Sequence, residues 1–271
     1  MNRLKISIVG CGTIGTGIVQ WISQHAKDKP VEIVALVDIR HDSAVKVAGL
    51  VKPRPKVTDL DEAIRLADLV VECADRSVVP ELASKAINQG KDVMIMSIGG
   101  LVENLDLLEL ARKKDRCIYL PSGALAGIDA VKSAAVGRID SITLTTRKPP
   151  KGLKGAPFFA THPIDLDKIA NPTVIFDGTA REAIKGFPAN VNVSICLSLG
   201  GIGLDKTRVK IIADPSAERN THEVVVEGES GRIVTRTENL PSPANPKTSF
   251  LAVLSAIATF KRIIDPVKIG T

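Results

Sequence analysis

Along the first 120 positions, hydrophobic residues recur in two alternating rhythms. Short, nearly continuous apolar runs occupy 4–10, 31–38, 67–73, 92–96 and 117–120, and each reads as a strand buried on both faces. Between them, apolar residues fall three and four apart. Thr13–His25 carries Ile14, Ile18, Val19, Trp21 and Ile22 in that spacing, and 43–50, 59–66, 80–88 and 101–114 follow suit. These segments read as helices, with Thr58 or Asp59 as a cap for the third and Pro80 in the first turn of the fourth. Strands alternating with helices predict an α/β fold built on a doubly wound parallel sheet of the Rossmann type.

After Pro121 the rhythm changes. Residues 139–146 alternate like a strand with one wet face, and 152–168 are rich in Pro and Gly and read as loop. Two helices are expected at 179–187 and 191–199, then alternating strands at 207–213, 222–227 and 232–238. The pattern predicts a dinucleotide-binding domain over 1–121 and a separate α+β domain over 122–244 for substrate and dimerisation. The C-terminal segment 245–271 contains a final apolar helix, Phe250–Ile264, expected to pack back on the first domain.

Of the 271 residues, 44% are hydrophobic and 24% charged, an ordinary balance for a globular protein with a sizeable core. Aromatics are scarce, so that core must rest on Val, Ile, Leu and Ala. The net charge of +6 is spread along the chain, with the densest basic run at Arg147-Lys148-Pro149-Pro150-Lys151. No tail or stripe concentrates it, which argues against nucleic acid as a partner. Cys11, Cys73, Cys117 and Cys196 form no CxxC pair; they read as core thiols of a cytoplasmic protein, with no metal site and no disulfide framework. No apolar run reaches membrane-spanning length, and the N-terminal apolar run reads as a strand rather than a signal peptide.

The first strand opens directly into Gly10-Cys11-Gly12-Thr13-Ile14-Gly15, a G-x-G-x-x-G. In a strand–turn–helix context this spacing brings the backbone against a pyrophosphate, with Thr13 and Ile14 at the helix N-terminus. Asp38 ends the next strand 23 positions after Gly15, where it would accept hydrogen bonds from ribose hydroxyls and favour NAD. Arg40 and His41 just beyond it could receive a 2′-phosphate, so use of NADP stays open. Cys73, Ala74 and Asp75, and 97–100, close strands at the carboxyl edge of the sheet, where a nicotinamide would pass or where ordinary turns would lie.

Three polar clusters mark the second half: 187–193 (FPANVNV), 213–223 (ADP…RNTHE) and 245–249 (NPKTS). Asn190 and Asn245 could equally be plain helix caps. Together with SGALAGIDA (122–130), FPANVNVSICLSLGGIGLDKTRV (187–209), ADPSAERNTHEV (213–224) and NPKTSFLAVLSA (245–256), the chain resembles the L-aspartate dehydrogenase family. The resemblance implies NAD(P)-dependent oxidation of L-aspartate to iminoaspartate, then oxaloacetate and ammonia, with the imine able to feed NAD synthesis. It places the catalytic histidine at His222 and further NAD contacts at Ala124 and Asn190, and it implies a homodimer. The chemistry suits a histidine: the ammonium must lose a proton before hydride leaves Cα, and a water must be activated against the imine. A pH–rate limb within about a unit of 6.5 is expected for it. His25, His41 and His162 are weaker candidates. Asn220, Lys247 and Thr248, with Arg219, are the polar groups expected to hold the substrate. The alternatives are a homoserine dehydrogenase-like or dihydrodipicolinate reductase-like oxidoreductase, or a non-catalytic NAD-binding regulator; the RN-x-H cluster argues against them.

Overall fold

The computed structural model describes residues 3–25, 30–188 and 192–270, and the side chains of all of these but 246 and 247. They form two compact units, one of Met1–Pro121 with Ala252–Lys268 and one of Ser122–Leu251 with the last three residues.

In the first unit, β1 (Leu4–Val9) leads into α1 (Thr13–His25), β2 (Val31–Val37), α2 (His41–Ala48), β3 (Lys56–Val57) and α3 (Leu60–Leu66). Then come β4 (Leu69–Glu72), α4 (Val79–Asn88), β5 (Asp92–Ile95), α5 (Asp106–Lys114) and β6 (Ile118–Tyr119). The strands form one parallel sheet ordered β3-β2-β1-β4-β5-β6, the doubly wound Rossmann order. Its central strands are apolar on both faces because helices cover both: Ile6, Ile8, Leu69, Val71 and Met94 are buried, and so are Ile18, Val19 and Ile22 of α1. Asp59 caps α3 by accepting the Glu62 N–H at 2.9 Å.

Three local expectations change. The helix expected over 101–114 starts only at Asp106, because Ile98–Leu101 forms a 3₁₀ turn and Asn104 bonds back to the Gly100 carbonyl at 3.0 Å. His41 opens α2 instead of lying in a loop. Lys56–Val57 adds a two-residue edge strand that hydrophobic rhythm is too short to show.

The second unit holds α6 (Ile128–Ala134), β7 (Ile139–Lys148), the single turn α7 (Phe158–Thr161), β8 (Thr173–Thr179), α8 (Ala180–Gly186) and α9 (Asn192–Gly200). It continues with β9 (Arg208–Ala213), β10 (Asn220–Gly228), β11 (Gly231–Asn239), β12 (Pro241–Ser242) and β13 (Asn245–Ser249). Five of these strands make a mixed sheet ordered β11-β10-β7-β9-β8, in which only β7 and β9 run parallel. Its inner face carries Ile142, Leu144, Val209, Ile211, Val224 and Val226, all buried. A side chain at Gly201, just after α9, would meet Ile142 and Val131, so the end of α9 and α6 rest on that face. A capping box between Thr179 and Glu182 starts α8.

The last helix, α10 (Phe250–Ile264), returns to the first unit from Ala252 onward. Ala256 and Phe260 enter the core around the parallel sheet, Phe260 meets Trp21 edge-on at 6.3 Å, and Gly17 leaves room for Val253. Residues 245–249, expected within this helical segment, are instead the strand β13, paired with β12. Asn245 therefore does not cap the helix.

Candidate active site

The glycine loop turns the chain between β1 and α1. Gly10 has φ +99°, and a Cβ there would lie 2.5 Å from the carbonyl of Cys73. A Cβ on Gly15 would lie 2.0 Å from the Gly10 oxygen. Close backbone approach thus demands both glycines. Gly12 is different: among the described residues a Cβ there meets no atom within 4 Å, so their packing does not require the glycine. A pyrophosphate lying over the loop would, and the first-turn N–H groups from Thr13 and Ile14 onward belong to a helix end that favours anions. The donor set fits the dinucleotide. Asp38 braces this loop. One carboxylate oxygen accepts the Cys11 N–H at 2.7 Å and the other accepts the Arg40 N–H at 2.8 Å. The Arg40 guanidinium lies 3.8 Å from the same carboxylate and is 72% exposed.

At the carboxyl edge of β4 and β5 sits a residue that sequence reasoning missed. Glu72 is fully buried, and its two oxygens accept the Ala74 N–H at 2.7 Å and the Ser97 N–H at 2.8 Å. One carboxylate thereby fixes the turns carrying Cys73–Ala74 and Ser97. Burial raises its pKa while these amide bonds oppose the rise. Its only sequence signal was a charge inside an apolar strand.

In the second unit, the inner face of the mixed sheet changes from apolar to polar along its length. His222 on β10 lies opposite Thr146 on β7 and Thr237 on β11. His222 is 6% exposed, and its Nδ1 lies 3.0 Å from Thr146 Oγ1. Burial, with the charge of nearby Lys148, pushes its pKa down to about 4. The expectation of a value near 6.5 is corrected by that desolvation, which disfavours the charged ring. Lys148, two residues along the same face of β7, is itself pushed down to about 8 by burial. Asn220 pairs with Asn239, which is buried. Asn239 donates to the Ala124 carbonyl at 3.2 Å, Thr237 donates to it at 3.0 Å, and Ser249 donates to Asn239 Oδ1 at 3.1 Å. Ala124, Asn220 and His222 are therefore gathered at one polar end, and the strand β13 carrying Lys247 and Thr248 finishes against it through Ser249.

Other expectations fall elsewhere. Asn190 lies outside the described residues, as does the Lys247 side chain. Arg219 is half exposed and sits 3.9 Å from Glu238. His25, His41 and His162 are exposed; His162 stacks on Phe158 and His25 on Trp21. Cys117 is exposed and Cys73 only partly buried, so not all four thiols are core thiols; their places at strand ends explain it. An open cavity of about 500 Å³ lined by Arg3, Val31, Glu32, Leu50 and Lys52, among others, lies at the opposite, N-terminal edge of the parallel sheet from the glycine loop. It contains none of the candidate residues. No helix among the described residues is long and apolar enough to cross a membrane.

Comparison with known proteins places this geometry. Residues 129–263 match the family described as "Aspartate dehydrogenase, C-terminal", and residues 10–121 match "Homoserine dehydrogenase, NAD binding domain". An L-aspartate dehydrogenase of Methanosarcina acetivorans is 48% identical, covering 99% of this chain and 100% of the relative. The chain belongs to the aspartate dehydrogenase family. Another relative in the family, an L-aspartate dehydrogenase of Bradyrhizobium diazoefficiens, is 43% identical over 100% of this chain and 95% of its own. The fold recurs in the crystal structure of the Thermotoga maritima aspartate dehydrogenase, with a TM-score of 0.77 at 24% identity, 99% of this chain and 100% of that one being covered. The family assignment bears out both the NAD-binding Rossmann domain and the resemblance carried by the second-domain motifs.

Proposed function

We propose that this enzyme oxidises L-aspartate to iminoaspartate, which water converts to oxaloacetate and ammonia. Full-length identity to relatives named for that activity supports the substrate. The observation that carries the mechanism is the buried His222 held at Nδ1 by Thr146. With Nδ1–H donating to the threonine hydroxyl, the other ring nitrogen carries the lone pair. That nitrogen takes a proton from the α-ammonium, freeing the nitrogen lone pair that closes the C=N bond as hydride departs from Cα. Once that proton has passed to solvent, the same imidazole, neutral again, accepts a proton from the water that attacks the imine carbon. Bound NAD supplies the hydride acceptor. Gly10, Gly12 and Gly15, with the N–H groups from Thr13 and Ile14 onward, hold its pyrophosphate. Asp38 takes the adenosine ribose and disfavours a 2′-phosphate, while Arg40 keeps NADP usable. Glu72 sets the Cys73–Ala74 turn beside the nicotinamide, and Ala124 and Asn190 add contacts. Asn220, Lys247 and Thr248 contribute to holding the substrate. We place the enzyme in the cytoplasm, in keeping with four unpaired cysteines, and read it as a homodimer.

The test is a spectrophotometric assay of L-aspartate with NAD and with NADP, and of oxaloacetate with ammonium in reverse, on the wild type and His222→Ala. Turnover of aspartate is expected in the wild type, and a loss of about 10²- to 10⁴-fold in the variant, with NAD affinity little changed. A variant keeping more than about a tenth of wild-type turnover rules His222 out as the general base.

A further inference from the structure

We infer that Lys148 recognises one carboxylate of the substrate and so makes the enzyme prefer a dicarboxylic to a monocarboxylic amino acid. The inference rests on the aspartate reading above. It starts from strand geometry. Along β7 the buried positions alternate, and Ile142, Leu144, Thr146 and Lys148 share the inner face. Thr146 lies directly opposite His222. Lys148 is therefore the diagonal neighbour of the histidine, at a Cα separation of about 7–8 Å, which a four-carbon stem spans easily. Its charge is felt at the imidazole, which lies close enough for the ammonium to oppose ring protonation.

The adjoining cation is differently disposed. Alternation turns Arg147 to the other face, and its guanidinium bonds Asp214 at 2.8 Å. Lys148 is 9% exposed, and Gly152 in the following 3₁₀ turn flanks its stem, a Cβ there lying about 4 Å from Lys148 Cβ and Cδ. A chain that buries an ammonium beside a neutral base accepts a desolvation cost. An ammonium has three N–H donors, so it can take a substrate oxygen in addition to protein acceptors. Among the described residues, the groups that share this face with it at the polar end include the neutral Thr146, His222, Thr237 and Asn239. An amino acid with two carboxylates, whose α-ammonium meets His222, needs a cation near that base, and Lys148 is placed to provide it. The substrate charge in turn offsets the effect of Lys148 on the imidazole, restoring its basicity once the complex forms.

The experiment compares the wild type with Lys148→Met, which keeps the buried stem volume, and with Lys148→Arg, which keeps the charge. Circular dichroism and thermal melting establish that each is folded. Three quantities are read: KM for L-aspartate, the dissociation constant of unreactive succinate by calorimetry in the presence of NAD, and the dissociation constant of NAD alone. Loss of one charge-assisted bond predicts a rise of about 10- to 100-fold in KM and in the succinate constant for Lys148→Met, with the NAD constant unchanged. Lys148→Arg should recover part of the succinate affinity, and butyrate should bind the wild type and Lys148→Met alike. Unchanged succinate binding in folded Lys148→Met overturns the inference, as does a fall in kcat with KM intact, which marks a proton-transfer role instead. Wild-type protein that binds succinate through Lys148 but leaves aspartate unoxidised refutes the aspartate reading while leaving the carboxylate site standing.

Discussion

His222 changes most between what its residue type promises and what its surroundings make of it. An exposed histidine titrates near 6.5; this one is desolvated and faces a buried ammonium, and its pKa falls to about 4. Two pH profiles follow. The acid limb of kcat/KM, which reports the free enzyme, is expected near pH 4, and the limb of kcat at a higher pH, because bound carboxylates favour the imidazolium. A kcat/KM limb at 6.5 would show that the ring is solvated in the free enzyme. Stability gives a second readout. The folded state binds the proton more weakly than the unfolded one, so unfolding takes up protons between pH 6.5 and 4. Stability is therefore full above 6.5 and falls by on the order of 3 kcal/mol as pH drops through that window. Urea midpoints of His222→Gln should lack this decline. Lys148 shows why some of the site was hidden in the sequence. It stands in the densest run of basic residues, and a strand ending at 146 leaves it in solvated loop. Two further strand residues place it on the inner face beside the histidine.

At the scale of elements, the glycine loop separates fold from ligand. Gly12→Val adds a side chain where no atom of the described residues lies, so the melting temperature should hold while NAD binding disappears. Gly15→Ala drives a methyl into the Gly10 carbonyl and should cost about 1–3 kcal/mol of stability before any ligand is added. Thermal melts and NAD titrations on the two variants check this; tight NAD binding by folded Gly12→Val would remove the loop from the cofactor site. Elements with strong periodicity were legible: Thr13–His25 and Phe250–Ile264 coincide with their predicted spans because each buries one apolar stripe. Others were not. Thr173–Thr179 holds only a few apolar residues beside a Pro-rich stretch, and Ile128–Ala134 is too short for two full apolar turns. In 245–249, Asn, Pro, Thr and Ser suggest a helix start, whereas pairing with Pro241 and Ser242 makes a strand. Glu72 was illegible as a brace because its partners are backbone amides, which side-chain identity does not disclose.

For the whole molecule, the outer face of the mixed sheet supports the proposed homodimer. Val225 pairs with Val234 on the side away from His222, and Val234 is 47% exposed. Light scattering at micromolar concentration is expected to give twice the 28.8 kDa chain mass, and Val234→Lys to shift it toward one chain with the circular dichroism spectrum unchanged. A monomeric wild type ends the proposal. The path of the chain has a separate bearing on how the enzyme is made. The parallel sheet begins at Leu4, yet its core includes Ala256 and Phe260 of α10. A ribosome must deliver the long stretch Ser122–Leu251 of the second unit before that core can close. During synthesis the nucleotide-binding half therefore waits, with Ile18 and Trp21 of α1 short of their last neighbours, while nearly all of the other half has already been made. The N-terminal unit is then the last to mature, against the usual order of translation.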